Sequence, residues 1–456
     1  MHRAAVAAFA TVIDRRYSKE MIVRARTVLT MDGAPIENGA VAISENQIID
    51  VGKFPGVSAR HSGQEIIDLG EQALLPGLIN AHCHLDYTCL RGKIPSRKSF
   101  ADWIRAINAE KAKLSEQDYL GSITEGFAEA KRFGTTTVAN LTAFPELVSQ
   151  IKSPIRTSWF AELIDVRSPE RANELVDLVR RRTDSLRRGG ELIGRTRPEP
   201  ALSEVERGAP NWGLAPHALF TASTNLYRRC EEIARRDDVL LTTHLAESRE
   251  EMAMFRDASG PLYEFLKEIG RDMSDCGDQT PLARFLDLIG RGGSPNRPRA
   301  IEVDLSYLHW IVAHLNELTE SDFDLLETAK RKFHVVHSPR SHVYFAHSEF
   351  PFKKLRALRF NICLGTDSLA SNENLSLFAE MRAFQRSEPG TSPDKILEMV
   401  TVNAALALHE GNALGRIRPE FQADLVSIPC SGSANTFEQI VAFDGPINWT
   451  MVNGRV

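Results

Sequence analysis

The chain has few cysteines, no long apolar run and little net charge. Its 456 residues include six cysteines, none of them in a Cys-x-x-Cys pair. A chain of this size buries enough apolar surface to fold without disulfides, so we predict a reducing, cytoplasmic setting. No stretch approaches the roughly 18 consecutive apolar residues of a membrane span. The net charge of −5 and the lack of a basic patch with interleaved aromatics argue against a nucleic-acid partner.

What the chain does contain is a repeated alternation of short apolar runs and helical stretches. This alternation extends from about residue 78 to residue 407 and is typical of βα units around a parallel sheet. Near both ends of the chain it changes to short strands separated by turns. The sequence therefore predicts an α/β fold, a (β/α)8 TIM-like barrel, with a small β-sandwich domain built from the two chain ends.

The pattern also predicts domain boundaries. Residues 1–20 precede the regular pattern and form an N-terminal extension. Residues 21–77 and 408–456 make up the composite β-sandwich domain, and residues 78–407 form the barrel. A long segment at about 249–303, rich in glycine and proline at its end, is an excursion after the fifth strand and a candidate lid.

The most informative motif is the pair His82 and His84, which follows an apolar run in Leu-Pro-Gly-Leu-Ile-Asn-Ala-His-Cys-His. Residues i and i+2 of a strand share a face, so both imidazoles can converge on one metal ion. Two hydrogen-bonded histidines at a strand end would produce the same pattern. The motif therefore needs partners elsewhere in the chain.

Such partners end later apolar runs. They are His244, His314, His337 and Asp367, and Glu247 follows His244 by three residues. Each of these residues, taken singly, is more often structural than functional. In a (β/α)8 barrel, however, the C-terminal ends of all strands open on the face that holds the active site. Together the residues predict a single metal-containing site.

These motifs, in this order, resemble those of the amidohydrolase superfamily, specifically its mononuclear deaminase and chlorohydrolase branch. The resemblance extends from residue 21 to residue 456 and includes the stretches 76–84, 215–218, 244–247 and 365–368. It implies one divalent metal ion, with Zn²⁺ expected and Fe²⁺ as the alternative. The ligands it implies are His82, His84, His244 and Asp367. Binuclear relatives use a carboxylated lysine on the fourth strand, and residues 211–221 contain no lysine.

The resemblance also implies an activity, the hydrolysis of carbon–nitrogen bonds other than peptide bonds by an aminohydrolase. A metal-activated hydroxide would attack the amino-bearing ring carbon of an aminopurine or nucleoside-type substrate and release ammonia. Asp367 would accept the proton of the attacking water, and His314 would orient that water. Glu247 would protonate a nitrogen of the heterocycle.

The predicted substrate-binding residues are Trp103, His217, His337, Arg340 and His342. A more usual form of the family has asparagine at the position of His342. The loop at 337–345 is similar to that of aminofutalosine deaminases, which act on an adenine ring with a ribose-linked tail. Other purine nucleosides, S-adenosylhomocysteine-like compounds, guanine, cytosine and triazines remain alternatives.

Two other functions stay open on the sequence alone. The same metal ligands in relatives remove chloride or open a cyclic amide or imidazolone. Some members of the superfamily have lost their ligands and persist as non-catalytic oligomeric scaffolds, although every expected ligand stands in this chain. The resemblance further implies a homodimer with a small-molecule heterocyclic substrate as its partner.

Overall fold

The structure, a computed structural model, describes residues 20–96, 99–181, 211–290, 307–329, 332–431 and 435–456. The predicted N-terminal extension lies outside the described residues except for Glu20, which begins the first strand. The last part of the predicted excursion, from residue 291 onward, also lies outside them.

The described residues form sixteen strands, which we number in chain order. They are β1 (Glu20–Val28), β2 (Ile36–Ser44), β3 (Gln47–Lys53), β4 (Glu65–Asp68), β5 (Gln72–Pro76), β6 (Leu78–His84), β7 (Thr135–Thr142), β8 (Arg156–Leu163), β9 (Asn211–Pro216), β10 (Leu241–Leu245), β11 (Tyr307–His314), β12 (Lys332–His337), β13 (Ile362–Leu364), β14 (Asp367–Ser368), β15 (Leu425–Pro429) and β16 (Trp449–Met451).

The helices follow the strands as βα units require. They are α1 (Phe54–Arg60), α2 (Phe100–Lys111), α3 (Glu116–Arg132), α4 (172–181), α5 (Thr224–Asp237), α6 (Arg249–Asp257), α7 (Pro261–Glu268), α8 (Pro281–Gly290), α9 (Glu320–Thr328), α10 (Pro339–Phe345), α11 (Phe352–Ala357), α12 (Leu377–Ser387), α13 (Pro393–Met399), α14 (Val402–Ala407) and α15 (Thr436–Ala442). None of these described helices combines the length and the apolar character needed to cross a membrane.

Local sequence explains where these helices begin and which face they bury. Ser115 and Asp118 form a reciprocal capping box at the start of α3. Ile123, Phe127 and Ala130, spaced three and four residues apart, lie buried on one face of that helix. This face joins the large apolar cluster between the strands and the surrounding helices.

Strands β6 to β14 form one parallel sheet in the order β13-β12-β11-β10-β9-β8-β7-β6-β14. β13 and β14 are two parts of one segment, so this eighth strand joins both edges of the sheet and closes the barrel. Gly365 lies between the two parts, where an added Cβ would come within 2.7 Å of the His82 carbonyl oxygen. A side chain at this position would push against the backbone of the predicted metal ligand.

The remaining strands form a separate mixed sheet from the two chain ends. Its order is β16-β15-β5-β1-β2-β3, and β4 pairs with β1. Only Gly77 separates β5 of this sheet from β6 of the barrel. The predicted α/β barrel with a second unit from the chain ends is confirmed, and β6, which carries both histidines of the first motif, continues directly from that unit.

Candidate metal centre and active site

Three imidazoles meet at the C-terminal ends of β6 and β10. The side chains of His82, His84 and His244 offer ring nitrogens that all lie within 4.8 Å of one another. Nε2 of His84 is 3.2 Å from Nε2 of His244. Burial lowers the pKa of His82 and His84 well below the usual value, so both rings are neutral, the form that binds metals.

The buried ring of His82 shows that this cluster fits a metal ion. Neither of its ring nitrogens has a hydrogen-bond partner among the described residues. Buried polar atoms are rarely left without a partner, because each lost hydrogen bond costs about 1–3 kcal/mol. A divalent ion between the three rings would bind one ring nitrogen of His82 and one each of His84 and His244.

Asp367 adds a carboxylate to the three imidazoles. Its Oδ1 lies 3.8 Å from Nε2 of His82 and 3.9 Å from Nε2 of His84. Its Oδ2 accepts a 2.7 Å hydrogen bond from Ser341, and Oδ1, the oxygen nearer the rings, accepts a 2.8 Å hydrogen bond from the backbone N–H of Ser368. Because β14 pairs in parallel with β6, with Asp367 opposite Cys83, the eighth strand delivers this carboxylate beside the first.

Contacts behind the cluster orient its members. Nδ1 of His244 donates to the backbone carbonyl of His217 at 2.8 Å, which leaves Nε2 to face His84. The backbones of His314 and Asp367 adopt left-handed conformations, with φ of 75° and 57°. Such strained residues are concentrated at functional sites, where the surrounding structure holds them.

Glu247 lies at the edge of the cluster. Its Oε1 is 3.7 Å from Nε2 of His314 and 3.9 Å from Nε2 of His347. Burial raises the pKa of Glu247 well above the usual value, and the nearby Asp367 carboxylate raises it further. This carboxyl group therefore retains a proton at a higher pH than an exposed glutamate would.

A cavity of about 680 Å³ opens over these residues. His84, His244, Glu247, His314 and Asp367 form its polar floor. The wall is largely apolar and contains Phe100, Trp103, Ile104, Ile107, Phe220, Phe265, Leu266 and Phe345. Its volume and lining are typical of a site for a small organic ligand.

The structure separates the five predicted substrate-binding residues into two groups. Trp103 and His217 line the cavity, and the buried Nε1 of Trp103 has no hydrogen-bond partner among the described residues. The cavity lining does not include His337, Arg340 or His342.

Each residue of the second group is held by other contacts. The ring of His337 stacks on Phe350 with centroids 4.0 Å apart. The guanidinium of Arg340 binds Asn374 and Glu373. Nδ1 of His342 lies 3.1 Å from the side-chain oxygen of Asn316. The side-chain nitrogen of Asn316 in turn donates a hydrogen bond to the backbone carbonyl of Glu247.

Three polar side chains at the site carried no signal in the sequence. His347 follows α10 rather than a strand, yet its ring approaches Glu247. Glu162, within β8, places Oε1 3.8 Å from Nδ1 of His84. Lys111, at the end of α2, lines the cavity and lies over the Tyr87 ring. The sequence predicts functional residues at the ends of strands and therefore misses these three, which lie at a helix end, within a strand and after a helix.

Comparison with known proteins agrees with this architecture. The model of the amidohydrolase family matches residues 73–456. The chain therefore belongs to the amidohydrolase family, and it is a hydrolase that acts on carbon–nitrogen bonds.

Similar curated proteins are nucleoside deaminases. A 5-methylthioadenosine/S-adenosylhomocysteine deaminase of Syntrophobacter fumaroxidans is 30% identical over 413 residues, which cover 88% of this chain and 82% of the relative. A 5′-deoxyadenosine deaminase of Methanosarcina mazei is 26% identical over 422 residues, covering 90% and 84%.

Solved structures share the fold at lower identity. An adenosine deaminase of Xanthomonas campestris with bound zinc has a TM-score of 0.73 at 23% identity and covers 95% of this chain and 92% of its own. The aminofutalosine deaminase of Helicobacter pylori has a TM-score of 0.78 at 18% identity and covers 95% and 99%. At these identities the similarity establishes the fold alone.

Proposed function

We propose that this protein is a metal-dependent hydrolytic deaminase of an adenine ring in a nucleoside with a 5′ tail. The observation that carries the proposal is the proton-retaining carboxyl of Glu247 at the edge of a cluster of three imidazoles and a carboxylate. A weakly acidic group at this position is what protonation of a ring nitrogen requires. The names of the curated relatives support the same chemistry.

The proposed ligands of a single divalent ion are His82, His84, His244 and Asp367. Three imidazoles and one carboxylate are a usual ligand set for Zn²⁺, and Fe²⁺ accepts the same set. A divalent ion bound there supplies a nucleophile by lowering the pKa of a water molecule toward 7. We propose Zn²⁺ as the native ion.

The residues around the ion would divide the proton transfers. The Asp367 carboxylate would accept the proton of the attacking water through Oδ1, because this oxygen is the one that faces the imidazoles. His314 is held 3.7 Å from Glu247 and orients the water through Nε2. Glu247 donates its proton to a ring nitrogen as water adds to the amino-bearing carbon. Asp367 would then return the proton of the water to the exocyclic amino group, the bond between that group and the ring carbon would break, and ammonia would leave. The added hydroxyl would lose its remaining proton to Glu247 as the ring carbonyl forms, which restores the acid form of Glu247.

The charges at the cavity favour a substrate whose 5′ tail carries an anionic group beside a cationic one, as an amino acid does. Lys111 and Arg167 line the cavity together with the carboxylates Glu162 and Asp165. Within the described part of the chain, neither side chain forms an ion pair with a carboxylate, whereas many other arginines do. The apolar side chains Trp103 and Phe345 lie in edge contact at 4.9 Å and offer a wall for the nonpolar part of the tail. S-adenosylhomocysteine has both features.

Removal of these cations should discriminate between tails. In the double variant Lys111→Ala/Arg167→Ala we expect the KM for S-adenosylhomocysteine to rise about tenfold, as for one lost charge-assisted hydrogen bond. The KM for 5′-methylthioadenosine, which has an uncharged tail, should stay within about twofold, because it makes no such bond. Lys113→Ala is the matched control, since Lys113 pairs with Glu110 outside the cavity. Equal changes for both substrates would contradict the assignment.

The raised pKa of Glu247 makes a prediction about pH. The acid form of Glu247 persists below the raised pKa, so the contribution of Glu247 to kcat should be complete there and be lost as the pH increases through that pKa. The measurement is kcat for an adenine nucleoside across the neutral and alkaline range. The residual kcat of the Glu247→Gln variant should not decline with increasing pH. If the kcat of the variant declined in the same way, the titrating group would be a residue other than Glu247.

The first test of the proposal is ammonia release. Metal-replete protein is assayed with 5′-methylthioadenosine, S-adenosylhomocysteine, 5′-deoxyadenosine and aminofutalosine, and with guanine, cytosine and a chlorotriazine as controls. We expect one equivalent of ammonia and a hypoxanthine absorbance change from at least one adenine nucleoside. Chloride release without ammonia would replace deamination by dechlorination. Homodimerisation and a cytoplasmic location remain predictions of the sequence.

A further inference from the structure

A second cluster of metal-binding side chains lies at the opposite end of the barrel from the active site. Asp238 ends α5 just before β10, His309 lies near the start of β11, and His409 follows α14. These positions are at the N-terminal ends of the strands, whereas the cavity opens at the C-terminal ends. One ligand atom from each of the three residues lies within 4.8 Å of the others.

In this cluster Nδ1 of His309 approaches a carboxylate oxygen without forming a hydrogen bond to it. The nitrogen is 3.6 Å from Oδ1 of Asp238, beyond a good hydrogen bond. That nitrogen is buried and has no hydrogen-bond partner among the described residues. The ring centroids of His309 and His409 are 5.5 Å apart. The 3.6 Å between Nδ1 of His309 and Oδ1 of Asp238 is close to the separation of two ligand atoms on one ion with bonds of about 2.0–2.2 Å.

The backbone positions of two members add a second argument. Asp238 and His409 both follow a helix in the left-handed conformation, with φ of 54° and 59°. Glycine is the usual residue at such helix ends because it has no Cβ. Here two of these positions instead carry side chains that can bind a metal, and both are directed toward His309.

We propose that Asp238, His309 and His409 bind a second divalent transition-metal ion, with Zn²⁺ as the best match to two imidazoles and one carboxylate. Asp238 and His409 are exposed, so water can complete a tetrahedral set. The ion would connect the end of α5, the start of β11 and the segment after α14. A bound ion that connects three separate segments stabilises the folded chain by mass action.

The test is a zinc titration of metal-stripped full-length protein by isothermal titration calorimetry. The wild-type protein should bind two equivalents of Zn²⁺, and Asp238→Asn/His409→Asn should bind one. Asparagine tolerates the left-handed backbone at both positions, so the variant should fold. The variant should also lose the zinc-dependent part of its increase in Tm while ammonia release stays within about twofold. Asp237→Asn is the matched control, because Asp237 pairs with Arg236, and it should bind two equivalents.

Three results would overturn the proposal. The first is one equivalent bound to the wild-type protein, and the second is two equivalents retained by the double variant. The third is a double variant that binds one equivalent and has also lost its ammonia release, because the lost ion would then be that of the catalytic cluster. A variant with His82→Asn and His84→Asn provides an independent check, since it should retain one equivalent that depends on His409.

Discussion

Replacement of Glu247 by glutamine should lower kcat for an adenine nucleoside by about 10²- to 10⁴-fold, the usual contribution of a general acid. Glutamine has nearly the same shape and can still accept a hydrogen bond, but its amide cannot deliver a proton to the ring nitrogen. Within the described part of the chain, the Glu247 carboxyl group forms no hydrogen bond to a proposed metal ligand, and its near neighbours are His314 and His347. The metal content of the variant should therefore be unchanged. The measurements are steady-state ammonia release and metal analysis of the same preparation.

A carboxylate on the following helix provides the control. Glu250 lies in α6 and accepts hydrogen bonds from the backbone amides of Phe100 and Ala101. Glu250→Gln removes a charge three residues away while Glu247 keeps its proton, so kcat should change by no more than about threefold. If Glu247→Gln retained more than a tenth of the wild-type kcat with full metal content, the role of Glu247 as the acid would have to be abandoned.

The fold and much of the metal cluster could be predicted because both depend on short-range patterns. Alternation of apolar runs and helices specifies βα units, and parallel strands must direct their C-terminal ends to one face. His82, His244 and Asp367 each end such a run, so their meeting in space follows from strand order alone. The split of the eighth strand into β13 and β14 has no counterpart in the apolar pattern. At the break, Gly365 approaches the His82 backbone so closely that an added Cβ would clash with it.

The cavity wall was harder to predict because it depends on side-chain direction. His337 ends a strand as the metal-cluster residues do, yet its ring stacks on Phe350, which the following loop supplies. Arg340 lies in the first turn of α10, and acceptors in the 373–374 segment bind its guanidinium. Lys111 ends α2 and His347 follows α10, and at such positions the neighbours in sequence do not indicate which side chain meets the cavity. Tertiary packing decides each of these cases.

Asp367→Asn should have the second large effect, because it removes both a proposed ligand and the proposed base. We expect weaker metal binding and a decrease in kcat of at least about 10³-fold even at saturating Zn²⁺. An amide is a poorer ligand than a carboxylate and cannot accept the proton of the attacking water. Metal content after dialysis, and ammonia release with added Zn²⁺, separate the two losses.

The serine that holds Asp367 provides a graded comparison. Ser341→Ala removes the 2.7 Å hydrogen bond to Oδ2, while hydrogen bonds from Ser368 and Ser371 still hold the carboxylate. Loss of a contact that only orients a ligand typically costs about 10- to 100-fold in metal affinity or activity. Added Zn²⁺ should therefore restore most of the activity of Ser341→Ala but little of that of Asp367→Asn. If zinc restored both variants equally, Asp367 would act as a ligand only, and another group would have to accept the proton.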